Sequence, residues 1–553
     1  MKSPPRGEKK GWIFRKTVNV KDMKITSNIR RVLYLPHFKG ALGWVFVCGA
    51  FCLSSCQNEW DEHYGRTGGL GDKHLMALIS SDGRLSKFTK ALRQTGVDAL
   101  LTNDQTYTVW APTDEALADL DFNDTASVQR IVSNHIARFS NPTSTEGLIK
   151  MLNGKRMQFS DLSTFNGAPI ANADITARNG LLHILTSQIP YKYSIRELLD
   201  ADKRFADVAT FVSQFDQKIY DERRSTSYDS VFIDYNPLLE DGRYGIGDIA
   251  DEDSLFTMIL PSDDVWAAEM ERVAPAFTAY AAAPFEADSI QHVQTGLAIL
   301  GGLTFRGIVD ETADSLVTVT GKVIKPVKAF LAGYERIEGS NGIIYVAPTH
   351  LNANDTCIWN HKLMVEAEDM DSRVALSGTN CYVRNTDVES LVQGVSDDSY
   401  LEVSSGNVDG GVTFYIADAL ATKYDVYVDF VNPMVDGFNL TGEKTKVVFQ
   451  MMYRGSNGRS TAKNMSTPVE ISGLTSDGEV LSEIISVKAF EGVEFPVSDY
   501  HDGMWHLQPG NASLDVTPTT TLQVRTRVTA ADARNGYIRK FRVDCVRFVP
   551  VVE

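Results

Sequence analysis

The feature that most constrains this chain is a pair of signatures that occurs twice, in the same order. The first pair is Tyr107–Asp114 (YTVWAPTD) and Asn179–Leu185 (NGLLHIL); the second is Phe256–Asp263 (FTMILPSD) and Asn341–Val346 (NGIIYV). In each opening signature an apolar strand stops at a proline, Pro112 or Pro261, which cannot continue a ladder. Thr113 or Asp114, and Ser262 or Asp263, then stand where a helix cap belongs. In each closing signature Asn179-Gly180 or Asn341-Gly342 is a turn dipeptide that positions a final strand. Helical periodicity lies between: Leu75, Leu78, Leu85, Phe88 and Leu92 predict a helix over 74–94, and Val128, Ile131, Val132, His135 and Ile136 predict another. In the second copy, helices begin near Ser194 with Ile195, Leu198 and Leu199. Ordered repetition of both signatures implies duplication of one α+β module, at 73–192 and 193–355.

From His361 the texture changes. Tyr424, Val426, Val428 and Phe430 alternate with Asp425, Tyr427 and Asp429, and Leu522, Val524 and Val528 alternate with Gln523, Arg525 and Arg527. Period-two alternation between Gly-, Asn- and Pro-containing turns predicts an all-β antiparallel jelly-roll sandwich over 361–553. The expected architecture is therefore multidomain, two α+β domains followed by a sandwich.

The amino terminus reads as a targeting segment. Residues 41–53 (ALGWVFVCGAFCL) are continuously apolar and follow Lys24, Arg30, Arg31 and Lys39. The run is shorter than the roughly 20 residues of a transmembrane helix and matches a signal-peptide core. Leu53-Ser54-Ser55-Cys56 resembles the lipobox of bacterial lipoproteins, which implies lipidation of Cys56. Residues 1–55 are then a signal peptide, its first 22 an overextension before a start at Met23, and 56–72 a lipidated tether. The Gln57–Glu62 stretch (QNEWDE) resembles the surface-export signal of Bacteroidetes lipoproteins. That implies an outer-membrane, surface-exposed location, with the membrane as partner through the lipid. Residues 1–55 hold 11 basic and 2 acidic side chains, leaving 43 and 69 for the rest, a formal charge of −26. So acidic a body is not expected to bind nucleic acid. Of six cysteines, Cys357, Cys381 and Cys545 remain after the lipobox; either Cys381 pairs with Cys545 or all three stay reduced.

The duplicated signatures resemble those of the fasciclin (FAS1) family, more strongly over 72–192 than over 193–354. The second copy departs from the pattern in placing Tyr345 where the first has His183, in a polar insertion at 218–252, and in lacking a counterpart of His135. The resemblance implies adhesion to proteins or glycans and no catalysis. His135 and His183 are expected to bond each other or the backbone inside the core, with a functional surface patch as the other reading. Asp114 and Asp263 are expected to act as helix caps.

Val365–Asp369 (VEAED) and Val543–Phe548 (VDCVRF) resemble the first and last strands of galactose-binding-like carbohydrate-binding modules. That resemblance implies a structural Ca²⁺ held by Glu366, Glu368 and Asp544, consistent with the oxygen preference of hard cations; the other reading is solvated carboxylates on edge strands. A sugar site needs aromatic faces and planar polar groups. Tyr500, Asp502, Trp505 and His506 form the best such cluster. No GxSxG elbow, HExxH, P-loop or catalytic cysteine context occurs. The expectation is a non-enzymatic surface lipoprotein that captures a ligand, a glycan first, tied to polysaccharide uptake. The alternative is a protein-interaction or structural envelope module.

Overall fold

The computed structural model describes residues 71–225, 229–240, 245–281, 284–352, 359–386, 393–432, 443–479, 481, 483–499 and 519–551. In the first copy, α1 (Leu75–Ser81) and α2 (Ser86–Gln94) precede β1 (Tyr107–Pro112), followed by α3 (Thr125–Asn134), β2 (Ile136–Arg138), β3 (Ala168–Ala177) and β4 (Gly180–Leu185). The single helix expected over 74–94 is broken at Asp82, whose extended backbone and carboxylate, accepting from Arg84 N–H at 2.9 Å, start a new turn. His135 ends α3 rather than continuing it, and Ile136 opens β2.

The second copy runs α4 (Ile195–Ala201), α5 (Ala206–Ser213), β5 (Phe256–Pro261), α6 (Asp263–Val273), α7 (Pro284–Leu303), β6 (Thr304–Arg306), β7 (Glu335–Glu338) and β8 (Gly342–Ala347). The polar insertion contains a hairpin of Gln217–Tyr220 with Phe232–Tyr235. The strand orders β2-β1-β4-β3 and β6-β5-β8-β7 are the same. In both, the two signatures are parallel neighbours: Tyr107 sits opposite Gly180 and Phe256 opposite Gly342.

The Asn-Gly dipeptide explains this pairing. Asn179 Oδ1 accepts from Leu75 N–H at 2.8 Å, while its Nδ2 donates to the carbonyls of Leu101 (3.0 Å) and Asn103 (2.8 Å). Asn341 repeats the pattern with Ile195 N–H (2.9 Å) and the carbonyls of Ile249 (2.9 Å) and Asp251 (3.1 Å). A buried amide thus closes each domain by satisfying a helix start and two loop carbonyls. The following glycines have φ of 145° and 155°, and a Cβ there would lie 1.7 Å from Tyr107 O or 1.9 Å from Phe256 O. Only glycine allows that approach.

Asp114 and Asp263 are helix anchors, but not for the helix that follows them. Asp114 Oδ1 accepts from Lys87 N–H at 2.7 Å and its Oδ2 from Ser86 Oγ at 2.7 Å, at the start of α2. Asp263 Oδ1 accepts from Asp207 N–H at 2.9 Å, at the start of α5. The carboxylate meets orphan N–H groups brought to it by tertiary structure.

The copies differ at one backbone position. After β2 and β6 the chain must turn left-handed: Gly307 has φ 77° and the equivalent Phe139 has φ 66°. Thr108 Oγ1 and Thr257 Oγ1 bond the carbonyls of these two residues alike, at 2.8 and 2.9 Å. Phe139 is nevertheless 72% exposed, so packing does not offset its strain.

The copies meet through Lys155, whose side chain is 3% exposed. Its ammonium donates to Glu197 Oε2 (2.8 Å), Glu252 Oε1 (2.6 Å) and Ser340 Oγ (2.9 Å), all in the second copy. Asp253 adds exposed pairs to Lys150 and Arg156.

The third module has two sheets. One orders β11 (Thr379–Asn385), β12 (Ser399–Ser405), β19 (Lys540–Pro550), β14 (Lys423–Phe430) and β17 (Ile485–Glu494), with β9 (Leu363–Glu366) also on β19. The other orders β10 (Arg373–Ala375), β13 (Gly411–Tyr415), β18 (Thr521–Thr526), β15 (Lys444–Arg454) and β16 (Ser460–Ser472). Val403, Val426, Phe430 and Val543 from the first sheet and Phe414, Phe449, Leu522 and Val524 from the second share one core. First and last strands pair antiparallel, Leu363 opposite Phe548. This module rests on the second copy: Leu420 joins that copy's core, Ala421 N–H donates to Ala276 O (2.8 Å) and Ser498 N–H to Thr278 O (2.7 Å).

Cys381 and Cys545 are free thiols, which decides between the two readings of the sequence in favour of reduced cysteines at these positions. Cys381 lies on β11 and Cys545 on β19, with β12 between the two strands. Two strand spacings, about 9.5 Å, exceed the reach of a disulfide. Cys357 lies outside the described residues.

Two outcomes are expected. Phe139→Gly relieves the left-handed strain and raises stability by about 1 kcal/mol, read by urea denaturation. Lys155→Met strands the carboxylates of Glu197 and Glu252 and costs about 3 kcal/mol, read as a lower calorimetric melting temperature.

Candidate functional site

Two clusters in the third module bear on function. The first is acidic. On β19 a bulge sets Asp429 opposite Cys545 and Phe430 opposite Val543, leaving Asp544 as the extra residue. Ser396, on the loop before β12, binds two carboxylates: its Oγ lies 2.7 Å from Glu366 Oε2 and 3.1 Å from Asp544 Oδ1, and its N–H donates to Asp544 Oδ1 at 2.9 Å. Glu368 Oε2 is buried without a hydrogen-bond partner. Burial, with the charge of Glu366, pushes the Asp544 carboxyl up to about 6. Burial, followed by the charges of Glu366, Asp544 and Asp397, raises Glu368 as well. Glu366, Glu368 and Asp544 therefore come together, joined by Ser396 and Asp397, which the sequence reading missed. The signal available for them was the Gly394–Asp398 turn, where Asp397 and Asp398 take positive φ as Asp tolerates.

Mutually repelling carboxylates, one with a bare buried oxygen, make an all-oxygen set that fits a hard cation. Asp429 and Cys545 also lie close to Asp544. Asp429, however, is neutralised by Arg547, with Nε at 2.5 Å and Nη2 at 2.8 Å. Burial raises the Cys545 thiol, which donates to Asp429 Oδ2 at 3.4 Å.

The second cluster is the outer face of the sheet that contains β18. Strand alternation turns Thr413, Gln523, Gln450 and Asn464 outward in one row across four strands. Gln523 Nε2 donates to Thr413 Oγ1 (3.1 Å), and Gln450 Nε2 to Asn464 Oδ1 (2.8 Å). Tyr415 and Arg525 flank the row. Planar amides beside an aromatic ring are the groups that recognise sugar hydroxyls. Tyr500, Asp502, Trp505 and His506 lie outside the described residues, as does Cys56. Asp499, which precedes Tyr500 in the chain, accepts from Thr519 Oγ1 (2.7 Å) and Thr520 N–H (2.6 Å).

The signature residues of the first two modules are structural in geometry. His135 Nδ1 bonds Ile131 O (2.7 Å) and its Nε2 accepts from Ile189 N–H (3.1 Å), so the ring is neutral and burial lowers it to about 4. His183 bonds Asn141 O (3.1 Å) and Asp174 N–H (3.3 Å). Both histidines bond backbone. Tyr345, in the His183 position, donates to Glu311. Pro112 and Pro261 end their strands, and Thr113 and Ser262 N–H donate to Leu185 O (3.0 Å) and Ala347 O (3.1 Å).

Comparison with known proteins bears on one stretch of this framework. Residues 83–189 match the fasciclin domain. The chain is 28% identical over 126 residues to transforming growth factor-beta-induced protein ig-h3 of Sus scrofa, covering 20% of this chain and 18% of that protein. Among solved structures it is similar to a FAS1 domain pair from the insect cell adhesion molecule fasciclin I (TM-score 0.20, 15% identity, 50% of this chain and 99% of that one). It is also similar to the CBM22-1 xylan-binding domain from Paenibacillus barcinonensis (TM-score 0.18, 10% identity, 34% and 94%). The chain therefore contains a fasciclin domain of mixed α/β structure. Among the described residues no helix is long and apolar enough to cross a membrane.

The acidic cluster sets a pH dependence. Asp544 ionises at about 6 when folded against 3.8 ordinarily. The unfolded chain therefore releases this proton first, and the contribution to stability is lost as pH rises from 3.8 through 6. Calcium should reverse that loss, raising the melting temperature at pH 7 and scarcely at pH 4. Asp544→Asn should abolish the calcium response in thermal scans.

Proposed function

We propose that this chain is a lipid-anchored protein of the outer membrane, held through Cys56 and displayed at the cell surface, that adheres to and captures a glycan without transforming it. The observation that carries the reading is the fasciclin domain at 83–189, a family whose resemblance implies adhesion. The second copy repeats its strand order and Asn-Gly closure and is read as a second domain of the same type. The glycan is assigned to the third module. Support comes from the amide row of Gln523 and Gln450 beside Tyr415, and separately from the sequence cluster of Tyr500, Asp502, Trp505 and His506. A calcium ion at Glu366, Glu368 and Asp544 would fix β9 against β19 and the Ser396 loop, a structural role. Capture of polysaccharide for uptake is the physiological setting.

A specific observation favours a second reading, adhesion to a protein through the first domain. Exposed Phe139 and Leu148 line a groove of about 520 Å³, and exposed apolar side chains in a groove suit a protein partner.

Binding of the full chain to a polysaccharide panel, with and without calcium, tests the proposal. Specific retardation in affinity gels, lost in Trp505→Ala and weakened about tenfold or more in Gln523→Ala, is the expected result. Binding to no glycan by a folded protein sinks the glycan assignment and leaves the protein-adhesion reading.

A further inference from the structure

A cavity of about 270 Å³ lies between α3 and the segment that leads into the second copy. Its lining includes Ser127, Arg130, Asn134, Gln188, Tyr191 and Tyr193 and contains no carboxylate, in a chain with 71 acidic residues. Arg130 donates to Ser127 Oγ at 2.8 Å and, weakly, to Tyr193 Oη at 3.4 Å. Those bonds leave several of its five N–H donors unused. Among the described residues no acid forms a direct ion pair with it, and the charge of Asp124 reaches it only across the Ser127 hydroxyl. Asp124 is taken up by the N–H (3.0 Å) and hydroxyl of Ser127.

The two tyrosines form an aromatic corner, their rings edge to face at 5.3 Å, with the guanidinium 5.8 and 5.9 Å from the two centroids. The corner is braced from the second copy. Tyr191 donates to Glu197, and Glu197 is held by Lys155 and Ser194 N–H, each at 2.8 Å. Tyr193 still has its hydroxyl proton to give, because its oxygen only accepts from Arg130.

We propose that this cavity binds a uronic acid residue of an acidic polysaccharide, with the sugar carboxylate on Arg130 and Tyr193 Oη and the ring against the tyrosine corner. Arginine suits this task because its fork matches a carboxylate bidentately. A peptide bound as an added strand or an amphipathic helix would need a free strand edge or an elongated apolar groove. The cavity offers neither, being walled by a helix face and a short segment. This site is separate from the one assigned to the third module and does not rest on it.

Calorimetric titration of the full chain with uronate trimers (galacturonate, glucuronate and mannuronate), their methyl esters and tetraglutamate tests the assignment. At least one uronate trimer should bind, and its methyl ester, which keeps the ring but not the charge, should bind about tenfold or more weakly. Arg130→Gln should cost about tenfold or more at an unchanged melting temperature. Tyr193→Phe, which keeps the ring, should cost a few-fold, and Trp505→Ala should change nothing. The proposal is overturned if no uronate binds, if Arg130→Gln binds as the parent does, or if Trp505→Ala removes the binding. Equal binding of tetraglutamate also overturns it, because the site then reads acidic peptides.

Discussion

Each of the two sheets that carry the paired signatures depends on one buried side-chain amide. Asn179 and Asn341 each satisfy a helix N–H and two loop carbonyls that would otherwise be desolvated without partners. Leaving such groups bare costs about 1–3 kcal/mol apiece, so each amide couples helix, loop and sheet. The glycine that follows lets β4 or β8 approach its parallel neighbour. The central strand pair of each sheet is therefore set by two adjacent residues, and the remaining strands add to its edges.

That dependence explains why so much of the first two domains was legible in sequence. A residue with one irreplaceable geometric role leaves a short, fixed signature, and Asn-Gly is such a case. The alternating strands of the third module were legible for a different reason, since burial on one face writes itself as period two. Tertiary partnerships were not legible. Asp114 has the composition of a cap for the next helix, yet it serves α2 because the fold brings Ser86 and Lys87 to it. Ser396 and Asp397 join Glu366, Glu368 and Asp544 only because the Ser396 loop crosses the β9–β19 pair. Cys381 and Cys545 share a sheet but are kept apart by β12, which spacing along the chain could not reveal. The aromatic corner beside Arg130 was missed as well, since its residues are spread over 127–193 and follow no single period.

The polar chemistry of the described residues divides by depth. Fully enclosed groups such as His135 and His183 are satisfied by backbone and serve packing. Groups with surplus capacity are of two kinds, the buried carboxylates around Ser396 and the more open outward amides of the β18 sheet and guanidinium of Arg130.

The way the modules abut has a consequence for ligands longer than one site. Lys155 crosses from the first domain into the second, and Leu420 from the third module enters the core of the second. The surfaces proposed for recognition on different modules are therefore fixed in spacing and orientation, unlike beads on a flexible string. A polymer engaged at one surface meets the next at a local concentration set by geometry, and only chains of matching length and stiffness gain avidity. The molecule would then discriminate among polysaccharides by their persistence as well as by their sugars.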